Sequence, residues 1–540
     1  KSMLMKWLCR ISEWLAGSAV LFILYVNVKY GQRHYYLYSN GCAVPNSVYV
    51  GCFLVAAVFC IILGYFLEKR NRTKAAPADT LPGTDFMYSR LEGLMQLRKV
   101  LIHVGIFLFV VQIWYADIVW FETGWDVHEV LTMAHSLAFE GGRIGDAHYF
   151  SMYPNNVFIT GLFAGIWKVA ALFGPVEDCF PLIVAGCLLV NLTGWFMADS
   201  VRMLTGHWLP VVLSYVLFVI LFGVSHWITI PYSDTYSILF PTLAVWVFLR
   251  RSKKHLLGSW FAIAAISLTG MLIKPTVVMT LGILSFFAGA QFFSAWKKHN
   301  KADNLRMLSG YLAGIALGLV LALALRTGMR AAVGYTPDET RRFTMTHYLM
   351  MGLNRQYTGG YNQEDVNLSI GYGSVEERVR ENLKEVGRRI EGMDPLTLKL
   401  FYYSKMLNNF NDGTFGWGHE GAFYWAFRQA ESRFADYIRS YIYHDGSRHG
   451  RYVAFLQGVW ILVLCSCGML LLPGFRKKKD PAYTAVTICM LAIFTFVMVF
   501  EARARYLYCY GPLILMTAVI ALGRLFALGG RFGKRIRKEK

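Results

Sequence analysis

Asp126, His128, Glu129, Asp146 and His148 all fall between Phe121 and Asn156, in a stretch that is otherwise largely apolar and aromatic. A carboxylate in such surroundings is suited to accept a proton from a weakly acidic hydroxyl as attack develops. Asp126, between Trp125 and Val127 just beyond the apolar run Leu101 to Trp120, is the candidate catalytic base; the alternative is that it caps the next helix. A second acid, Asp234, lies in PYSDTYSILF, as a supporting carboxylate or as an N-cap beside Ser233 and Thr235. Lys274 precedes Pro275 at a short turn between apolar runs, where it needs an anionic partner or must snorkel to headgroups. In FEARARYLYCYGP, Glu501, Arg503 and Arg505 either pair among themselves or bind a phosphate, which guanidinium matches geometrically. Lys274 offers a second cation for the same anion and favours phosphate.

Glu129, His148, Tyr153 and Glu501 are candidate substrate contacts around these groups. A further stretch, Asn408 to Trp425, alternates glycines with Asp412, Trp417, His419 and Glu420. Aromatic faces and polar groups beside glycine turns suit a sugar, and they equally suit a plain loop. The spacing of His128, His148 and His419 does not indicate a metal site, and no cofactor is called for.

The elements that position these residues are membrane helices. With 55% apolar, 16% aromatic and only 16% charged residues, the composition lies outside that of soluble domains and gives an all-α polytopic membrane protein. Apolar runs near 11–28, 47–67, 100–120, 181–203, 208–224, 235–249, 257–273, 276–296, 306–325, 453–472, 482–500 and 506–527 predict about twelve spans. The first is expected to be a retained anchor, because it is long and aromatic and lacks a small-residue cleavage site. Lys and Arg cluster at 1–10, 69–99, 250–254, 297–306, 476–479 and 531–540, which marks those loops and both termini as cytoplasmic. Val157 to Phe173 breaks this parity if it crosses, so it is expected to lie on the outer face. The net charge of +20 sits in these short loops, where it sets topology and meets anionic lipid, which argues against nucleic acid. Ten cysteines, with only Cys42 and Cys179 in outer loops, give neither a zinc site nor a disulfide framework.

Four regions follow: 1–97, two additional helices and a cytoplasmic linker running through Ala76-Pro77-Ala78 and Pro82-Gly83; 98–325, the core with its first outer loop at 121–156; 326–452, a folded extracytoplasmic helical subdomain, with helical patterns at 376–391 and 423–443; and 453–540, the last spans and a basic tail.

Taken in order, the acidic first outer loop, its Tyr153-Pro154 ending, the SDTYSILF helix start, the Lys274-Pro275 turn and the EARARYL segment resemble bacterial GT-C glycosyltransferases. The groups meant are the protein O-mannosyltransferase and aminoarabinose-transferase-like families and their relatives in cell-wall glycan assembly. The resemblance covers roughly residues 98–527. It implies a polyprenyl-phosphate-linked sugar donor, a glycan acceptor and a site at the outer face of the bacterial plasma membrane. By the same resemblance Asp126 is the base, and Lys274, Arg503 and Arg505 hold the lipid phosphate. The two leading helices and the inserted loop depart from that pattern and leave the acceptor open. A transporter or flippase of lipid-linked sugars would use the same cations without a base, but would show repeat symmetry and mid-membrane breaks.

Overall fold

An apolar run in lipid must satisfy its own backbone hydrogen bonds, and a helix does so within one segment. Ten helices among the described residues are long and apolar enough to cross a membrane. The computed structural model describes residues 3–33, 42, 44–73, 84–176, 178–252, 255–296, 300–417, 424–427, 432–472 and 481–536. In chain order, α1 (Met3–Tyr30), α2 (Asn46–Thr73) and α3 (Thr84–Val119) lead into strand β1 (Phe121–Thr123), then α4 (Trp125–Phe139), α5 (His148–Met152) and α6 (Asn156–Ala170). The bundle continues with α7 (Phe180–Thr205), α8 (Trp208–Phe218), α9 (Ser233–Ser237), α10 (Leu239–Arg250), α11 (Leu256–Ile273), α12 (Val278–Ala295) and α13 (Lys301–Ala332). A cap follows, made of α14 (Met345–Met351), α15 (Gln363–Ile370), α16 (Val375–Glu391), α17 (Pro395–Phe410), β2 (Tyr424–Phe427) and α18 (Arg433–Ile442). Helices α19 (His449–Gly468), α20 (Pro481–Val499) and α21 (Gly511–Ile536) complete the chain.

Two of the expected spans are composite. Helix α8 runs on as a π-helical turn, Val219–Gly223. The run at 235–249 breaks between α9 and α10 because the Pro241 ring clashes with the carbonyl four residues back, that of Ser237, which instead accepts from Cys509 Sγ at 3.6 Å. Helix α6, with 15 residues, is about 22 Å long against roughly 30 Å of hydrocarbon, and it packs against α4, α7 and α13.

Close helix approach depends on glycine. A Cβ at Gly314 or Gly318 of α13 would fall 2.7 Å or less from backbone or Cβ atoms of α11, and at Gly529 of α21 one would meet Ile61 of α2. The two leading helices are thus packed into the bundle. Glu13 of α1 pairs with Arg524 of α21 at 2.8 Å, both buried. Asn46 donates to the Asn27 carbonyl at 2.8 Å and to Asn411 Oδ1 at 2.6 Å, and Gln457 joins this buried network at 2.9 Å from Asn46 Oδ1.

At one end of the bundle Asp199 accepts from Arg202, Trp246 and Arg250 at 2.7 to 2.8 Å, which ties Arg250 of the basic 250–254 loop to the end of α7. Lys253 and Lys254, the linker from Ala76 to Gly83, and all of 476–479 lie outside the described residues. The opposite end carries the cap. The helical pattern expected at 423–443 is corrected: 424–427 form β2, which pairs antiparallel with β1 through Phe121 and Phe427, and among the described residues of this stretch only 433–442 are helical. The long helix α13 also extends to Ala332, so the cap begins at Val333 rather than at 326. All ten cysteines are free thiols.

Candidate active site

Strand β1 ends at Thr123; Gly124 is the cap residue of α4, and Trp125 follows with φ +51°. That left-handed conformation is costly for a bulky residue and persists only where surrounding structure fixes it. Here Trp125 Nε1 donates to Thr123 Oγ1 at 3.0 Å, its ring meets Tyr232 edge-on at 5.3 Å, and the Arg505 guanidinium lies over it at 4.1 Å. The turn aims Asp126, in the first turn of α4, back toward the bundle. No side-chain capping bond is made at the start of α4 or of α9, so neither Asp126 nor Asp234 serves as a cap.

Asp126 is half-buried and lies beside two phenols. Tyr232 donates to Asp126 Oδ2 at 3.4 Å, Tyr149 also bonds the carboxylate, and Asn156 Nδ2 donates to both tyrosine oxygens, at 2.6 and 3.3 Å. Burial holds the Asp126 carboxyl above the ordinary carboxylate range, with Glu501 adding to the rise; Arg505, the Tyr149 hydrogen bond and Arg503 oppose it. Burial also pushes both phenols well above their usual values, so they remain protonated donors. Tyr149, Tyr232 and Asn156 were not singled out from the sequence. The only signal they offered was a polar Asn opening an apolar helix just after Tyr153-Pro154.

Around this carboxyl the structure gathers the other charged candidates. Asp234, buried, accepts from Lys274 Nζ at 2.5 Å and faces Arg505 Nε at 3.8 Å. Lys274, at the C-terminal end of α11 where the helix dipole favours a cation, also lies 4.6 Å from the Tyr506 ring centre. Its anionic partner is thus Asp234. Glu501, buried, accepts from Arg503 Nε at 2.9 Å and from the Tyr506 hydroxyl at 2.9 Å. Three carboxyls therefore face three cations. A proton on Asp126 leaves the cluster net positive, a field that favours an incoming or developing anion. Behind it, buried Lys405 ties the Gly352 and Phe500 carbonyls at 2.5 and 2.6 Å; burial pushes its amine down to about 7.

A cavity of about 760 Å³ opens beside the cluster between β1, α4 and α5, within the size range of small-molecule sites. Glu129 and His148 line it, together with His128, His135, Trp167 and Tyr149, the last touching both the cavity and Asp126. His148 accepts from Arg341 at 2.5 Å, and Asp146 is exposed. Tyr153 lies outside this cavity, its ring 5.2 Å from Tyr149 and 5.3 Å from Phe343.

Of the sugar-contact candidates at 408–425, Asp412 and Trp417 are taken up by the fold itself. Asp412 is buried and closes a tight turn, accepting from Thr414 N at 2.8 Å and Gly416 N at 3.0 Å. Trp417 is 0% exposed, donates to the Ile442 carbonyl at 2.7 Å and packs 4.4 Å from the His226 ring. Neither has a face left for a ligand. His419 and Glu420 lie outside the described residues. Among the described residues no group of three or more His, Cys, Asp or Glu is placed to hold a metal ion.

Residues 88–525 match a family model described as a conserved hypothetical integral membrane protein. No curated protein matches the chain.

Proposed function

This chain belongs to the conserved hypothetical integral membrane protein family, and for this membrane-embedded member we propose glycosyl transfer at one face of the bilayer. The donor is a sugar on a polyprenyl phosphate, the acceptor an extracytoplasmic glycan, and the setting the outer face of a bacterial plasma membrane. The reading is supported by one observation above all: a half-buried carboxyl with raised proton affinity, Asp126, sits in the field of Arg505 and Arg503, beside a cavity large enough for a sugar.

The acceptor hydroxyl loses its proton to Asp126 as its oxygen bonds to the anomeric carbon. The bond from that carbon to the phosphate oxygen breaks on the opposite side, and the phosphate keeps the electron pair. One displacement inverts the anomeric centre. Proton uptake by Asp126 makes the cluster net positive as the phosphate gains charge, so Lys274, Arg503 and Arg505 stabilise the leaving group when it needs it. Asp234 holds Lys274 and Arg505 in place for this. Glu129 and His148 contact the substrate in the cavity.

The test is release of free polyprenyl phosphate by the purified protein in nanodiscs, supplied with polyprenyl-phosphate hexoses and pentoses and a glycan acceptor. Product with inverted anomeric configuration is expected. Movement of intact donor across proteoliposomes without cleavage would replace transfer by transport.

A further inference from the structure

We propose that the cleft where α6 begins and α11 and α13 end binds the phosphate headgroup of an anionic membrane lipid. The cleft, about 270 Å³, has Arg326, Arg330 and Arg342 in its lining together with apolar groups that include Phe158, Leu272 and Met329. No carboxylate lines it among the described residues. Arg326 and Arg330 stand one turn apart on α13, where like charges repel. Arg342 reaches Glu339 at 3.6 Å with both side chains largely open to solvent, a contact that neutralises little, and Arg330 lies 5.0 Å from the Tyr335 ring centre. Three arginines lining one small space, each with a guanidinium able to fork onto a phosphate, call for an anion.

The position of the cleft says which anion. Between Arg306 and Arg326, helix α13 carries no charged residue; that stretch spans about 28 Å, close to the roughly 30 Å of a bilayer core. Arg326 is then at headgroup level. The helix below it exposes Leu319, Val320 and Leu323, an apolar face along which acyl or prenyl chains can lie. A soluble phosphate would use the arginines and leave the apolar wall bare, so a lipid is the better match. Pro275 lines the same cleft and directly follows Lys274, which places a bound headgroup next to the Lys274–Asp234 pair. The inference does not depend on glycosyl transfer.

The test uses full-length protein from phosphatidylcholine nanodiscs containing a minority of phosphatidylglycerol, with retained lipid counted by native mass spectrometry. Wild type is expected to keep phosphatidylglycerol in preference to phosphatidylcholine. The variant Arg326→Gln/Arg330→Gln/Arg342→Gln should keep about ten-fold less or lower, and Arg326→Gln alone, at an exposed position, should show a partial loss if the triple variant fails to fold. Equal retention by wild type and these variants, or no preference between the two lipids, overturns the proposal. Displacement of phosphatidylglycerol by millimolar inorganic phosphate alone would assign the cleft to a free anion and overturn the lipid.

Discussion

Replacing Asp126 by Asn separates catalysis from stability, because the same environment acts on both in opposite directions. Asn keeps the size and can still accept from Tyr232 and Tyr149, but it cannot take a proton. General-base assistance is worth about 10²- to 10⁴-fold, so turnover should fall by at least that, an increase of roughly 3 to 5 kcal/mol in the barrier, with donor binding intact. Burial raises the Asp126 carboxyl in the folded state, so the folded chain binds this proton more tightly than the unfolded chain does. Ionised Asp126 therefore costs stability at neutral pH, and the cost disappears as pH falls through the folded value to below the ordinary one. Asp126→Asn should unfold at the same or a higher temperature than wild type at pH 7, and the gap should close in acid. The acid limb of wild-type kcat/KM should lie above the ordinary aspartate value of about 3.9. The assays are turnover with a polyprenyl-phosphate sugar, donor binding, and melting curves at several pH values. Near-normal turnover would remove Asp126 as base and move attention to Asp234. A clear fall in melting temperature at pH 7 would refute the electrostatic argument itself.

Asp234→Asn leaves Lys274 and Arg505 buried without their shared carboxylate; a loss of about 3–5 kcal/mol of stability is expected, largely recovered in Asp234→Asn/Lys274→Met, and melting curves of the three proteins decide it. Asn156→Leu removes the donor that orients Tyr149 and Tyr232, so kcat should drop about ten-fold, less than the loss of the general base itself, with KM nearly unchanged; an equal loss in KM would mark Asn156 as a binding residue. Arg503→Ala or Arg505→Ala should weaken donor binding by about 2 kcal/mol or more, with Lys a poor substitute, read by donor titration. In a cysteine-free background, Glu376→Cys on exposed α16 should react with an impermeant reagent in intact cells, and Ser252→Cys only after permeabilisation; the reverse pattern inverts the membrane orientation.

The charged part of the site was legible in the sequence for a physical reason. A charge at the end of an apolar run is costly enough to demand an explanation, and Asp126, Asp234, Lys274, Glu501, Arg503 and Arg505 each stand at such an end. The order of spans was legible for the same reason. Tyr149 and Tyr232 were not, since aromatics are everywhere in this chain and their meeting at Asp126 bridges a separation of 106 residues for Tyr232. The β1–β2 pair is likewise long-range, and its strands are 3 and 4 residues long, too short for alternation to register. Asp412 and Trp417 misled because glycine-rich turns and sugar sites draw on the same residues. In the structure the local claim won: Asp412 is occupied by the backbone amides two and four residues on, as Asp often is in turns.

The pairing of Glu13 with Arg524 sets a clock on biogenesis. The partners are 511 residues apart, so at 5–20 residues per second α1 waits about 25 to 100 s in the membrane before the helix that neutralises its carboxylate is made. An ionisable group inside a lone span costs a few kcal/mol, which makes early α1 a loosely committed helix, able to slide toward the interface or to be held by an insertion factor. Only when α21 arrives does Gly529 close against Ile61 of α2 and Arg524 meet Glu13 of α1. A chain truncated before Arg524 should therefore be recognised as unfinished by the membrane quality-control machinery even though nearly every other span is already in place.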